Sequence, residues 1–499
     1  MDPSKMQLIG TVDERFQSYN IEMLEVTGGK FWKPYGSLEK PTGKPATAAS
    51  GSSTPAGMDP NLYEYRAPLN LANPRLRKMA LALGPAYMRV SGTWANTTYF
   101  QDKPGPAPNT PPAGFDGVLT REQWKGVVDF AKATDAKIVT SFATSPGVRD
   151  SAGVWTPIEA DKFIAYTRSA GGEIAATEYM NEPTLASMGG APKGYDVAAY
   201  ARDVKVFAPY LKKESPQTIF LGPGGVGEGG ALPLPTTGTL PSKDILAATD
   251  SVFDALSYHY YGAASARCGK VMPTAMTAQK AALSREWLTG TDRVEIFYAG
   301  LRDQYLPGKL LWVTETADAA CGGNKWASTF TDSFRYLNQL GTLAQRGVQV
   351  VMHNTLDSSD YGLLDENDYK PRPNFWAAVL WRKLMGTTVL RPGASPSPDL
   401  YLYAHCLRGV PDGVALLAIN ASSRPQTMNI SKASERYTLS AQQLDSGSVQ
   451  LNGSVLELQS DDALPAMNGA KAPSGRMTLA PQSITFLAFP EAGNEACSK

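Results

Sequence analysis

Histidine and cysteine are scarce in this 499-residue chain, which has three histidines and four cysteines. The cysteines, Cys268, Cys321, Cys406 and Cys497, form no CxxC pair, and the histidines stand far apart in the sequence. Zinc and redox sites need such residues in closely spaced sets. We therefore expect neither a metal nor a cofactor.

An excess of charge of either sign is also missing, because 47 Lys and Arg balance 47 Asp and Glu. The sequence thus lacks the basic field that draws proteins to nucleic acid or anionic membranes. No apolar run approaches the roughly 20 residues that cross a bilayer, and the opening MDPSKMQLIG contains no hydrophobic signal segment. We expect no nucleic-acid partner and no membrane span. A leader removed earlier would leave no trace here, so the compartment stays open.

What the chain does contain is a repeated alternation of helix-period segments with short β-branched or aromatic runs. Capping signals open two of the helices, Thr120-x-x-Gln123 and Thr156-Pro157-x-Glu159. Eight strand-then-helix units over roughly 370 residues favour a (β/α)₈ barrel, since doubly wound sheets more often stop at five to seven strands. The predicted strands are RFQSYNIEM, AYMRVSG, KIVTSFATSP, EIAATEYM, TIFLGPGG, FDALSYHYYG, KLLWVTET and VQVVMHNTLD.

The character of the sequence changes near residue 395. Short strands separated by turn residues follow, among them YLYAHCLR, VALLAINAS and SITFLAF, which is typical of an antiparallel β-sandwich. We expect the MQLIGTV segment (6–12) to pair with this region. The prediction is therefore an α/β fold: a (β/α)₈ TIM barrel over 14–388, and a β-sandwich domain made of 1–13 and 389–499. One low-complexity stretch, KPTGKPATAASGSSTPAG, lies between the first strand and its helix.

Two carboxylates follow predicted barrel strands on opposite sides of the ring. Glu182 stands in the triplet Asn181-Glu182-Pro183 after the fourth strand, and Glu315 ends the seventh. Catalytic groups of such barrels come from the C-terminal ends of the strands. Two carboxyls facing each other across a cleft are the minimum apparatus for hydrolysing a glycoside. The alternative interpretation is that both are acids of surface loops.

These two motifs resemble those of the clan A retaining glycoside hydrolases. Three further segments resemble glycoside hydrolase family 79, the heparanase and β-glucuronidase family: RVSGT (89–93), SYHYYG (257–262) and YGLLDENDYKPRPNFWAAVLWRKLMGTTVL (361–390). The resemblance covers the barrel almost from end to end. It implies a retaining enzyme that cleaves β-linked glucuronic acid.

The resemblance also implies roles for individual residues. Glu182 becomes the acid/base, Glu315 the nucleophile, and Asn181 the partner of the sugar 2-hydroxyl. The uronate carboxylate is expected to bind backbone amides of the loop at 321–323 and the hydroxyl of Tyr361. Where the family often has a Gly-Gly-Gly-like run, this sequence has Cys321, Gly322 and Gly323. Further positions matched along the cleft are Thr93, His259, Tyr261 and Glu22.

The mode of action has more than one interpretation. The segment after the eighth strand resembles heparanase, so we predict endo-cleavage of heparan sulfate or a related glucuronic-acid polysaccharide. The first alternative is an exo-β-glucuronidase that releases terminal glucuronic acid. The second, from a different class, is a barrel that binds carbohydrate without catalysis. We expect a monomer.

The cysteines add a prediction about the loops. Cys268 follows the sixth strand and Cys321 the seventh, and neighbouring strands of a barrel place these loops side by side. We therefore expect a disulfide between them, and a second between Cys406 and Cys497, with unpaired thiols as the alternative. Such bonds persist in oxidising compartments, so we expect a secreted or periplasmic protein whose signal peptide is not in this sequence.

Overall fold

The computed structural model describes residues 1–38, 54–55, 58–235, 238–270 and 272–498. Most of the low-complexity stretch that follows the first strand lies outside these residues. Eight parallel strands close into a barrel in sequence order. They are β1 (Gln17–Glu22), β2 (Ala86–Ser91), β3 (Ala136–Ser141), β4 (Ile174–Glu178), β5 (Ile219–Gly225), β6 (Ala255–Ala264), β7 (Leu310–Ala320) and β8 (Val350–His353).

A helix follows each barrel strand, which confirms the predicted (β/α)₈ architecture. The helices are α1 (Pro74–Leu83), α2 (Arg121–Ala133), α3 (Ile158–Ser169), α4 (Val197–Glu214), α5 (Ser242–Ala248), α6 (Gly290–Tyr305), α7 (Phe330–Gln345) and α8 (Pro373–Leu384). Shorter helices span Met23–Thr27, Tyr35–Leu38 and Arg285–Leu288. Two small strand pairs join Gly29–Trp32 to Tyr63–Arg66 and Thr98–Gln101 to Gly117–Thr120.

The two predicted capping signals have different outcomes. Thr120 and Gln123 form the expected reciprocal capping box at the start of α2. The prediction for Thr156 was wrong, because α3 begins at Ile158 without a side-chain cap. The Thr156 hydroxyl instead donates to the carbonyl of Val148, 2.9 Å away. The Thr156 side chain therefore stabilises a loop and does not cap the helix, although the sequence spacing had predicted a cap.

The interior of the barrel is layered along its axis. Its lower layer is apolar and consists of Tyr87, Val139, Ala176, Leu221, Ala255, Trp312, Val350 and Met352. Because side chains alternate along a strand, residues two positions further on face the same interior. That next layer is polar and fully buried, with Arg89, Glu178, Ser257 and Thr314. A polar platform therefore lies directly beneath the C-terminal mouth of the barrel.

An irregularity in β7 brings one more carboxylate into this interior. Tyr258 pairs with Val313, but the next residue, His259, pairs with Glu315, so the register shifts by one residue at Thr314. A bulge of this kind lets two consecutive side chains face the same side. Thr314 accordingly bonds to Glu178, and Glu315 bonds to Arg89.

The C-terminal region contains the predicted antiparallel sheet, which has nine strands. Leu8–Thr11 pairs with Met385–Leu390, as expected for the N-terminal segment. The remaining strands are Leu400–Leu407, Val414–Asn420, Ser483–Phe489, Ser434–Ser440, Gln450–Leu451, Ser454–Val455 and Ala470–Ala472. A separate two-stranded sheet joins Gln426–Ile430 to Gly475–Leu479.

The central strands of this sheet, Val414–Asn420 and Ser483–Phe489, are buried on both faces. On one face, Tyr403 packs over Gly341 of α7 and donates to Asn338. On the other, Leu416 shares a buried cluster with Met428 and Met477 of the two-stranded sheet. The strand Met385–Leu390 spans the predicted boundary at 388/389, and the division into two domains stays a prediction. The Cys406–Cys497 disulfide is present, with its Cα atoms 5.3 Å apart.

Candidate active site

The turn after β4 holds Glu182 in an uncommon backbone conformation. Its φ and ψ are 49° and 61°, in the left-handed region that costs a residue with a side chain free energy and persists where surroundings enforce it. Asn96 enforces it here. The Asn96 side chain accepts from the Asn181 amide at 2.9 Å and donates to the Asn181 carbonyl at 3.0 Å. The turn is thus locked just before the glutamate.

Glu182 and Glu315 meet at the mouth of the barrel with His259 between them. The His259 Nδ1 atom lies 2.9 Å from Glu182 Oε1. Glu315 accepts from Arg89 Nη1 at 2.9 Å and from the Tyr261 hydroxyl at 2.5 Å. One oxygen of each glutamate and one nitrogen of His259 all lie within 4.8 Å of one another. The two predicted carboxylates therefore face each other at short range.

The environments of the two carboxyls differ. Burial, and after it the charge of Glu315, raises the pKa of Glu182, although the hydrogen bond to His259 opposes the shift. Burial lowers the pKa of His259, but Glu315 and Glu182 outweigh it, and the net shift is upward. Both oxygens of Glu315 act as acceptors, as in an ionised carboxylate. Burial and the neighbouring acid thus favour the protonated form of Glu182.

Arg89 supports the pair from below. Its Nη2 atom donates to Glu178 Oε2 at 2.8 Å and to Asn181 Oδ1 at 2.7 Å. Glu178 also accepts from the hydroxyls of Ser257 and Thr314. Burial opposes ionisation of Glu178, but Arg89, His259 and the hydrogen bond from Thr314 together outweigh it, and the pKa of Glu178 is lowered. This buried network fixes the guanidinium that reaches Glu315.

Asn354, directly after β8, joins three side chains on the other side of the site. Its Nδ2 atom lies 3.1 Å from Glu22 Oε1, 3.0 Å from the Tyr261 hydroxyl and 3.1 Å from the Tyr361 hydroxyl. Gly92 makes room for Glu22, because a Cβ there would lie 1.6 Å from Glu22 Oε2. Burial, followed by the charge of the neighbouring acids, raises the pKa of Glu22.

The loop after β7 has a left-handed backbone at three consecutive residues. The φ angles are 64° at Cys321, 79° at Gly322 and 83° at Gly323. Consecutive residues in one helical conformation direct their carbonyls one way and their amides the other. In the described part of the chain, the amide of Gly322 donates to no protein acceptor. A residue with a side chain would not fit at position 323, because a Cβ there would lie 3.0 Å from the Tyr361 nitrogen.

Arg267 binds the carbonyl side of this loop. Its Nη1 atom lies 3.3, 3.2 and 2.9 Å from the carbonyl oxygens of residues 321, 322 and 323. The guanidinium stacks on Tyr35, 4.1 Å from the ring centroid, and pairs with Asp360. The predicted Cys268–Cys321 disulfide is present with a Cα separation of 6.3 Å, and it ties the same loop to the segment after β6.

A cleft of about 540 Å³ opens above the two glutamates. Most of the predicted site residues line it, namely Glu22, Thr93, Asn181, Glu182, Tyr261, Glu315, Cys321 and Tyr361. His259, Gly322 and Gly323 are buried behind this lining. Glu182, His259 and Glu315 are the one set of histidine and acidic groups in the described ranges that could share a metal ion. The Arg89 guanidinium in contact with Glu315 disfavours a cation there.

Sequence reasoning missed four residues that build this site: Arg89, Asn96, Arg267 and Asn354. Two of them carried a signal. Arg89 is a charged residue within the otherwise apolar run AYMRVSG, and Asn354 is a polar residue near the C-terminal end of the predicted strand VQVVMHNTLD, the end of the barrel strands where catalytic groups are expected. Asn96 and Arg267 stand in short 3₁₀ helices, Thr93–Thr97 and Ala266–Cys268, and their partners are distant in the sequence.

The barrel with two facing carboxylates at its C-terminal mouth defines the class of protein, a glycoside hydrolase. The family described as "Glycosyl hydrolase family 79, N-terminal domain" matches residues 67–341, more than half of the chain. The chain belongs to glycosyl hydrolase family 79.

Relatives agree with this assignment. The chain is 26% identical to "Heparanase-like protein 1" of Arabidopsis thaliana, covering 86% of each chain. It is also 26% identical to "Hyaluronoglucuronidase" of Hirudo nipponia, covering 86% of this chain and 92% of the relative. A solved 4-O-alpha-L-rhamnosyl-beta-D-glucuronidase from Fusarium oxysporum 12S has the same fold, with a TM-score of 0.62, 13% identity and 98% coverage of both chains.

Proposed function

We propose that this protein is a retaining β-glucuronidase in which Glu315 is the nucleophile and Glu182 the acid/base. The observation that carries the proposal is the 4.8 Å limit on the distance between their carboxylate oxygens. Retaining enzymes hold the two carboxyls roughly 5–5.5 Å apart, whereas inverting enzymes leave roughly 6.5–9.5 Å for a water molecule. The names of the relatives support a glucuronide as the substrate.

In the first step, Glu315 attacks the anomeric carbon while Glu182 donates its proton to the leaving oxygen. The glycosidic bond breaks and a covalent glycosyl-enzyme forms. This ester removes the charge of Glu315, which had helped to raise the pKa of Glu182. Glu182 is then a carboxylate that accepts a proton from water, and this water attacks the anomeric carbon and releases Glu315.

Other side chains have roles that follow from their contacts. Arg89 occupies Asn181 Oδ1, so Asn181 Nδ2 is left to donate to the sugar 2-hydroxyl. We assign the uronate carboxylate to the Tyr361 hydroxyl and the amides of the loop at 321–323. The uronate wall is defined here as this loop together with Asn354 and Tyr361. The hydrogen-bond donors of this wall are neutral groups. Because the chain has no net charge, the preference for a uronate over a neutral sugar would come from these donors and not from the overall charge of the protein.

Two modes of action are candidates. Endo-cleavage of heparan sulfate, predicted from the resemblance to heparanase, needs partners for sulfate groups on both sides of the broken bond. Among the described residues that line the cleft there is no lysine or arginine. This lining favours the second candidate, exo-release of terminal glucuronic acid. Sizing the products from heparan sulfate separates them, since progressive shortening supports endo action and release of monosaccharide alone supports exo action.

The retaining mechanism has a direct test. Hydrolysis of an aryl β-glucuronide, followed by NMR, should show the β anomer of glucuronic acid first, before mutarotation. Initial α product would mean inversion and would contradict the assignment of Glu315. Absence of turnover on both aryl glucuronides and glucuronic-acid polymers would instead favour a barrel that binds carbohydrate without catalysis.

We also propose a secreted or periplasmic location. Two disulfides support it, because such bonds persist in oxidising compartments. In the ranges that the structure describes, no helix has the length and apolar character needed to cross a membrane. The monomeric state stays a prediction.

A further inference from the structure

The part of the cleft beside Glu182 is built from apolar side chains. Leu185 ends the short helix Pro183–Leu185 that begins directly after Glu182, and Met188 follows it. Leu232 and Leu234 come from the segment after β5. All four line the cleft and are half-buried, and we call them the leaving-group wall. An acid that protonates the leaving oxygen must have the leaving group next to it, so this wall faces that group.

The packing of the leaving-group wall fixes its position. Leu185 and Leu232 pack against the buried cluster that contains Tyr261. The Leu232 amide donates to the Gly227 carbonyl at 3.3 Å. A Cβ at Gly227 would lie 2.6 Å from a methyl carbon of Leu234, so glycine permits this close approach. These contacts hold the leucines in place from behind while part of each side chain stays exposed to the cleft.

The charged groups that line the cleft also favour an uncharged leaving group. Its described lining contains three carboxyl groups, Glu22, Glu182 and Glu315, and no cationic side chain. A sulfated sugar placed here would find no positive partner for its sulfate, which disfavours binding. A strongly hydrated sugar would also exchange its water for leucine and methionine, and lost hydrogen bonds to water are costly when nothing replaces them.

We infer that the leaving-group wall binds an apolar aglycone, aromatic or alkyl, of a β-glucuronide. The inference rests on the proposed function and narrows its substrate class. Removal of apolar surface from water supplies the binding free energy. The uronate wall would recognise the charged sugar, and the leaving-group wall the uncharged remainder of the molecule.

A series of 4-alkylphenyl β-glucuronides tests this inference. The alkyl chain lengthens from methyl to butyl while the acidity of the phenol hardly changes, so differences in kcat/KM report contact with the chain. Full burial of one methylene is worth about fourfold. Because the wall is half-buried, we expect kcat/KM to rise by about two- to fourfold per methylene. A steady rise supports the inference.

Variants locate the effect. Leu232→Asn combined with Leu234→Asn should flatten the dependence on chain length. The matched control is Leu81→Asn, at a leucine of α1 that is 54% exposed; it should keep the full dependence. A flat series in the unaltered protein, with normal turnover of each glucuronide, would overturn the inference and leave the proposed function intact. Absence of turnover on every glucuronide would defeat the proposed function, and the inference with it.

Discussion

The two walls of the cleft are held in place by different kinds of interaction. The uronate wall is fixed by hydrogen bonds and a disulfide: Arg267 binds three successive carbonyls, and Asn354 bridges to Tyr361. The leaving-group wall is fixed by apolar packing: Leu185 and Leu232 rest on a buried cluster that contains Tyr261 and the ring of Tyr361. Hydrogen bonds are directional, whereas apolar contacts adapt to shape. From the two proposed roles we therefore expect strict selection of the sugar and broader tolerance of the aglycone.

Glu315 lies between the walls, and its removal should have the largest effect. Glu315→Ala leaves no nucleophile to form the glycosyl-enzyme, so we expect kcat on every substrate to fall by roughly 10⁴-fold or more. Glu182→Ala should cost much less for an activated phenol, which leaves without protonation, and azide should partly restore its slow deglycosylation. Steady-state kinetics on activated and unactivated glucuronides measure both. Full activity in both variants would refute the assignment.

The sequence predicted the two glutamates but not the residues that orient their side chains. The strands followed from alternation and the Cys268–Cys321 disulfide from neighbouring loops, which are local or nearly local properties. The direction of Glu315 depends on the bulge at Thr314, and a shift of one residue reverses the faces of a strand. Arg267 had no detectable role in the sequence, because its role depends on carbonyls more than 50 positions away. Tertiary contacts, rather than patterns, decide these features.

Arg267 offers a way to weaken the uronate wall alone. Arg267→Gln with Asp360→Asn removes both charges of a buried pair, which avoids leaving one of them unpaired. With its carbonyls released, the loop should lose the alignment of its amides, and a displacement of about 1 Å can cost roughly 100-fold in rate. We expect kcat/KM on aryl glucuronides to fall by about that factor, measured beside aryl β-glucosides.

The control is the leaving-group wall, whose preference should survive in this variant. The ratio of kcat/KM between butylphenyl and methylphenyl glucuronide should stay as in the unaltered protein. Thermal unfolding shows whether the barrel is intact. A folded variant with unchanged glucuronide kinetics would show that Arg267 does not position the loop.

Tyr361→Phe removes one donor from the uronate wall without changing its shape. A hydrogen bond to a charged group is worth about 1.5–3 kcal/mol, so activity on glucuronides should fall by roughly 10- to 100-fold. Any weak activity on aryl β-glucosides, which lack the carboxylate, should stay almost unchanged. An equal loss on both substrates would mean that Tyr361 supports the site through Asn354 and does not bind the carboxylate.

The pH dependence of activity reports on the leaving-group side. Glu182 must be protonated to act as an acid, and burial together with Glu315 raises its pKa above the usual 4.5. We therefore expect kcat/KM on alkylphenyl glucuronides to fall as pH rises through this raised pKa, by about tenfold per unit beyond it. An activated phenol should show little of this limb. The same limb on both substrates would assign it to a group other than Glu182.

Removal of the disulfides should have the smallest effect on activity. One of the two bonds lies beside the site and the other in the C-terminal region, so their removal can be compared. Each should contribute about 2–4 kcal/mol to the free energy of unfolding. Replacing Cys268 and Cys321 by serine should in addition raise KM for glucuronides severalfold, because that bond holds the uronate wall. Replacing Cys406 and Cys497 should leave kinetics unchanged at temperatures where the protein stays folded, since this bond joins a strand of the sheet to the C-terminal segment and neither cysteine lines the cleft. Equal KM values in both double variants would show that the loop is held by Arg267 without the disulfide.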